Sequence, residues 1–266
     1  MGQTDYEYRG MHAKYWDLLR GDTSRWDDRP FYKSIILESG QPALDVGCGT
    51  GRLLLDYLEQ GIDIDGVDDS PEMLAICREK AQKLGLQPNV YQQKMQSLDL
   101  PRKYRTIIVP SSSFQLLTDP NDATEAMTRF YNHLEPGGTL VMPFMLIWER
   151  EDKDDEDPEG WKMTGERARP EDGALVRRWS RSVYDIPNQL QYGEGRYEIV
   201  RDGEVVESEQ YPLSLETRSY TQEQAVKLYT EAGFTDVRTI KGFSPSHEPA
   251  SAEDTLFTVL GRHKEA

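Results

Sequence analysis

The chemistry legible in this chain is concentrated in one stretch, Asp45-Val46-Gly47-Cys48-Gly49-Thr50-Gly51. Alternating glycines let a backbone turn sharply and approach a ligand at the carboxyl end of a strand. Nicotinamide and flavin sites share such a turn, so the glycines alone leave the ligand open. Asp45 narrows the choice, because its carboxylate would repel a dinucleotide's pyrophosphate and attract a cationic amine or sulfonium. Roughly 20 residues on comes Asp68, at the spacing where an acid accepts hydrogen bonds from ribose hydroxyls, with Asp69 beside it as a second or alternative partner. The two regions together describe a pocket for a positively charged nucleoside lacking phosphates. A nicotinamide oxidoreductase is the competing reading, resting on the glycine turn and the following acid.

The elements that must hold these residues alternate between short apolar runs and segments of helical period, the pattern of a parallel sheet with crossover helices. Ala43 to Gly47 predicts a first strand, 52–60 a helix and Ile62 to Val67 a second strand. Ser70 as N-cap and Pro71 at the first helical position open a helix whose Met73, Leu74, Cys77, Ala81 and Leu84 share a face before Gly85 stops it. Strands follow at 89–93, 106–110 and 139–145, with a helix carrying Ala123, Met127 and Phe130 before the last of these. Residues 149–159 hold eight acids against two bases, a charge of 2 − 8 = −6, which predicts a solvated loop. Beyond it, 174–185, 190–200 and 205–215 are rich in β-branched and aromatic residues, and Asp202-Gly203 is a hairpin turn. A capping box, Thr221 with Gln224, then starts a helix that Gly233 ends, and strands at 234–241 and 255–261 close the sheet as a hairpin.

Composition limits the partners. The 266 residues carry a formal charge of −16, and an acidic surface repels nucleic acid and anionic membranes. No apolar run reaches the roughly 18 residues of a membrane span, and the first ten residues lack the basic and apolar order of a secretory signal. A cytoplasmic location is expected. Cys48 and Cys77 lack partners at metal-ligand spacing, so no metal or disulfide framework is expected.

Asp45 to Gly51, Gly66-Val67-Asp68-Asp69-Ser70-Pro71-Glu72-Met73-Leu74 and His133-Leu134-Glu135-Pro136-Gly137-Gly138 together resemble class I S-adenosylmethionine-dependent methyltransferases. The resemblance covers about residues 28–147 and 216–261. It implies a doubly wound, Rossmann-like α/β fold with a mostly parallel seven-stranded sheet, here carrying an inserted antiparallel β meander. The division expected is 1–147 as lid helices and cofactor core, 148–215 as acidic loop and meander capping the acceptor, and 216–266 as the remainder of the core. S-adenosylmethionine carries an amine and a sulfonium and no phosphate, which matches the acids. Carried over by position, Asp45, Gly47, Cys48, Gly49 and Gly51 meet the methionine part, Asp68 and Asp69 the ribose, and Met95 with its neighbours the adenine. Met73, Pro110 and Tyr15 complete the implied cofactor set. Lys94 departs from the pattern by standing where an acid commonly receives the adenine amino group, and Arg105 by replacing a frequent acid at the start of the fourth strand. Tyr15-Trp16-Asp17 and Asp28-Arg29-Pro30-Phe31-Tyr32 are similar to the amino-terminal lid helices of small-molecule members, including sugar N-methyltransferases.

The reaction implied is methyl transfer to an N, O or other nucleophile of a small molecule by a monomer or homodimer. An atypical protein that binds the cofactor or its demethylated product without turnover is the alternative. Displacement at a sulfonium methyl needs orientation and desolvation, and a base only where the nucleophile must lose a proton. His12, His133, His247, Tyr6, Tyr8 and Tyr15 are the available groups. Tyr15 and His247 are retained as catalytic candidates. The former is set against simple packing, and the latter would touch the acceptor from the loop between the closing strands. His133, near a helix end, is read as surface or dipole-stabilising. Arg177, Arg178 and Arg181 around Trp179 read as an exposed strand face, with an acidic acceptor as the alternative.

Overall fold

The computed structural model describes residues 8–146 and 160–265, so Tyr6 and the acidic run 149–159 lie outside the described residues. Two short helices, α1 (Gly10–Lys14) and α2 (Trp16–Arg20), precede α3 (Asp28–Ser39). The core then alternates: β1 (Ala43–Val46), α4 (Leu54–Glu59), β2 (Ile64–Asp68), α5 (Pro71–Leu84), β3 (Val90–Gln92), β4 (Tyr104–Ile108), α6 (Pro120–His133) and β5 (Leu134–Met145). Four antiparallel strands follow, β6 (Lys162–Ala168), β7 (Leu175–Asp185), β8 (Leu190–Arg201) and β9 (Glu204–Arg218), before α7 (Gln222–Glu231), β10 (Thr235–Lys241) and β11 (Leu256–Arg262) return to the core.

The core sheet runs β10-β11-β5-β4-β1-β2-β3, with β11 antiparallel to both of its neighbours and the remaining pairs parallel. It is doubly wound. Helices α3, α4 and α5 cover one face through Ile35, Ile36, Leu54, Leu74 and Cys77, and α6 with α7 cover the other through Met127, Phe130, Ala225 and Tyr229. Strand order reverses between β1 and β4, and open α/β sheets bind ligands at such a reversal, outside the carboxyl ends of the strands. The expected caps are present. Ser70 Oγ accepts from the Met73 amide at 3.1 Å, Gly85 takes the left-handed conformation, and the Thr221–Gln224 capping box closes in both directions.

The meander has four strands where the sequence pattern indicated three. β6 reads Lys-Met-Thr-Gly-Glu-Arg-Ala and is exposed or half-buried along its length, so no alternation of apolar residues marks it. Its place comes from pairing with β7. The Asp202-Gly203 hairpin forms as expected, both residues having positive φ (53° and 85°) between β8 and β9. Buried Gln115 ties the meander to the core, donating from Nε2 to the carbonyls of Met145 and Arg218 at 2.9 and 3.0 Å. Among the described residues no helix is long and apolar enough to cross a membrane.

Candidate active site

A cavity of about 2170 Å³ opens at the strand reversal and continues under the meander. Its floor is the expected turn. Gly47 and Cys48 both donate backbone N–H groups to the Val67 carbonyl, at 2.8 and 3.0 Å, which folds the turn over the end of β2. Gly47 has φ 73°, and a Cβ there would lie 2.7 Å from Ser113 Oγ, so this position excludes a side chain on both conformational and steric grounds. Ser111 and Ser112 adopt φ of 56° and 59° directly after β4. Successive non-glycine residues in that region are strained, a feature that clusters at ligand sites.

Asp45, at the end of β1, is 2% exposed, and its Oδ1 has no hydrogen-bond partner among the described residues. Burial raises its pKa to about 7; the Arg52 charge opposes that rise and Asp68 adds to it. An orphaned carboxylate oxygen of this kind suits a cationic ligand that restores its charge. Asp68 closes the end of β2, its Oδ2 accepting from the Gly49 amide at 2.8 Å and its Oδ1 from the Ser70 amide at 2.9 Å. Burial lifts it to about 6 against the pull of those two amides. Two of its lone-pair positions remain for hydroxyl donors. Asp69, Met73, Met95, Cys48, Gly49 and Pro110 also line the cavity, as does Lys94. Burial pushes the Cys48 thiol well above its ordinary range, so it stays protonated.

Three expected site residues lie elsewhere. Tyr15 is 3% exposed and packs with Met11, Ala174 and Val176, its hydroxyl accepting from Arg169 Nη1 at 3.0 Å. It faces the meander. Gly51 does not line the cavity; a Cβ there would meet Cys77 Sγ at 2.7 Å and Leu55 Cγ at 2.8 Å, so this glycine allows α4 and α5 to pack. His247 stacks edge-on against Phe31 with centroids 5.9 Å apart, in the loop after β10 and away from the cavity lining. His133 clamps α6 to the segment before β4: Nδ1 lies 2.8 Å from the Arg129 carbonyl and Nε2 accepts from the Leu100 amide at 3.0 Å. Arg105 bonds the Pro136 carbonyl at 2.9 Å, outside the cavity lining.

The lid contributes a different stripe from the one the sequence motif suggested. Tyr8, His12, Trp16 and Arg20 line the cavity, from the bend before α1 (Tyr8), from α1 (His12) and from α2 (Trp16 and Arg20). Of the Tyr15-Trp16-Asp17 segment, Trp16 enters the lining while Tyr15 packs against the meander. Hydrogen bonds hold the lid on both sides. Ser70 Oγ donates to the Tyr8 carbonyl at 2.6 Å, Thr50 Oγ1 to Asp17 at 2.7 Å, and Tyr211 Oη to the Arg9 carbonyl at 2.7 Å. Arg20 Nη2 reaches Ser111 Oγ at 3.0 Å, and its guanidinium lies over Trp16 and Trp26, 5.1 and 4.6 Å from the ring centres. Burial, then the Arg52 charge, lowers Arg20 to about 10, the mark of a desolvated cation that lacks full compensation. Arg52 itself is forked onto Asp28.

Residues 43–138 match the family model described as a methyltransferase domain. The glycine/sarcosine N-methyltransferase of Halorhodospira halochloris is 29% identical over 136 residues, 50% of this chain and 51% of that protein. The dTDP-3-amino-3,4,6-trideoxy-alpha-D-glucopyranose N,N-dimethyltransferase of Streptomyces venezuelae is 33% identical over 99 residues, 37% and 40% of the two chains. The chain thus spans about half the length, or less, of these curated relatives. Among solved structures, an S-adenosylmethionine-dependent methyltransferase from Clostridium acetobutylicum superposes with a TM-score of 0.69 at 21% identity, covering 96% of this chain and 98% of that one. That likeness is one of fold.

Proposed function

We propose that the chain, whose residues 43–138 match the methyltransferase-domain model, transfers the methyl group of S-adenosylmethionine to a nitrogen or oxygen nucleophile of a small molecule. The observation that carries this reading is the buried Asp45 Oδ1 at the strand reversal, without a partner among the described residues, beside Gly47, which leaves no room for a side chain. A dinucleotide would bring its pyrophosphate against Asp45 and Asp68, at a cost that a sulfonium nucleoside avoids.

The residues present fit the cofactor. In this reading Asp45 takes the amino group, Arg20 the carboxylate, Asp68 and Asp69 the ribose hydroxyls, and Met73 and Met95 the apolar faces of the adenine, all six lining the same cavity. When bound, the cofactor supplies a methyl group activated by a positive sulfur. The chain's own task is then to orient an acceptor and keep water out. The lid and meander roof the cavity, so in this reading 1–147 and 216–266 hold the cofactor and 148–215 cap the acceptor. Amine acceptors are favoured by the N-methyltransferases among the relatives. We place the chain in the cytoplasm, as a monomer or homodimer.

Calorimetry with S-adenosylmethionine and S-adenosylhomocysteine tests the cofactor, and labelled methyl incorporation into amine and hydroxyl panels tests the transfer. Absence of binding heat for both nucleosides overturns the reading.

A further inference from the structure

Resting on the methyltransferase reading, the structure goes further towards the acceptor. His12 is 7% exposed and lines the cavity, and its Nε2 has no hydrogen-bond partner among the described residues. Its ring is fixed among four others, with centroids at 4.7 Å to Tyr8, 5.5 Å to Trp16, 5.5 Å to Tyr197 and 5.9 Å to Tyr211. The Tyr211 hydroxyl also accepts its backbone N–H at 3.1 Å. A polar atom buried and unpaired inside such a fixed cluster is costly unless something binds it.

Arg178 stands on the meander side of the same cluster. Its guanidinium carbon lies 6.0 Å from the centre of the Tyr197 ring, and its buried Nε has no hydrogen-bond partner among the described residues. The arginines flanking it in sequence are matched differently, Arg177 with Glu166 at 2.6 Å and Arg181 with Glu194 at 2.5 Å. Glu216, half-buried in the cavity lining, is the acid that Arg178 influences. Burial first, then the charges of Arg178 and Arg9, hold the His12 imidazole neutral, with a pKa lowered to about 3.

The chemistry of the transfer specifies the complement. An amine that aims its lone pair at the methyl carbon has only N–H groups left for the protein, and a hydroxyl nucleophile still offers its O–H, so a fitting protein group for either is a hydrogen-bond acceptor that carries no proton. We infer that this end of the cavity is the acceptor subsite, and that the acceptor carries an anionic group held by Arg178 together with an N–H or O–H donated to His12 Nε2. Compounds without such a donor, or without the anion, are poor acceptors on this reading.

The test uses the full 15N-labelled chain loaded with S-adenosylhomocysteine, followed by NMR at the Arg178 Nε–H and the His12 ring nitrogens. The probes are 2-hydroxyethyl phosphate and 3-hydroxypropanoate, paired with propyl phosphate and butanoate, which keep the anion and lack the donor. At least one anion class shifts Arg178 saturably, and the stronger class identifies the acceptor's charged group. Only the hydroxylated member of that pair moves His12 Nε2, in the direction of hydrogen-bond acceptance. Arg178→Gln weakens the anions by about tenfold or more, and His12→Phe removes the difference within each pair. No saturable shift at Arg178, or equal shifts at His12 from both members of a pair, overturns the inference. Failure of S-adenosylhomocysteine itself to bind overturns the cofactor reading instead, so the two failures are distinguishable.

Discussion

The sharpest prediction concerns the charge on Asp45. Its carboxyl is raised to about 7, chiefly by burial, and its Oδ1 has no partner among the described residues. The sign for the free protein follows from the native state holding a proton that the unfolded chain, with an ordinary aspartate, releases near pH 4. This group's contribution to stability is therefore greatest below that pH and is lost as pH rises through about 7. Binding of a cationic amine reverses the preference, because only the ionised carboxylate is its complement. Lowering the pH from about 8.5 to about 5.5 should then weaken S-adenosylhomocysteine by about 30-fold, or ~2 kcal/mol, as Asp45 takes up its proton. Asp68, raised to about 6, adds at most about fourfold over the same range. Calorimetry at both pH values measures the change, and repetition near neutrality in buffers of different ionisation enthalpy should show net proton release on binding. In Asp45→Asn the dependence should fall to the residue left by Asp68. An affinity that is flat with pH, or a slope unchanged in Asp45→Asn, would refute the assignment of this carboxylate to the ligand's amine.

Three further outcomes follow from the geometry. Arg20→Ala should weaken S-adenosylhomocysteine by about tenfold and leave 5′-methylthioadenosine, which has no carboxylate, unaffected in the same calorimeter; equal losses for both would show that Arg20 only supports the lid. Asp68→Ala removes charge-assisted ribose bonds of about 1.5 to 3 kcal/mol and releases the Gly49 and Ser70 amides that it now holds. Unchanged affinity there would mean that Asp68 is a turn cap. Tyr15→Phe should lower stability by about 1 kcal/mol in a urea titration, through the lost bond from Arg169, while cofactor affinity stays the same; a large affinity loss would return Tyr15 to the site.

Much of this protein was legible one residue at a time. The caps at Ser70 and Thr221, the left-handed Gly85 and the Asp202-Gly203 hairpin act through bonds within a few residues, so local chemistry is enough to set them. The same holds for Asp45, Gly47, Gly49 and Asp68, which a strand end and a tight turn bring together without help from distant segments. Gly51 was misread because its neighbours in space, Cys77 and Leu55, come from the packing of two helices. The strand β6 carries no periodic apolar signal and exists by virtue of β7.

The sequence by itself determined the cofactor floor, because every group in it lies at the end of a strand whose apolar pattern is plain. Only the tertiary structure decided the roof. Whether Tyr15 or His12 meets the cavity depends on which face of two short helices the meander covers, and whether Arg178 differs from Arg177 and Arg181 depends on carboxylates brought opposite them by strand pairing. The lid contacts join segments more than 100 residues apart, such as Tyr211 with Arg9, and the arginine pairs depend on which strands lie side by side, so no local pattern encodes either.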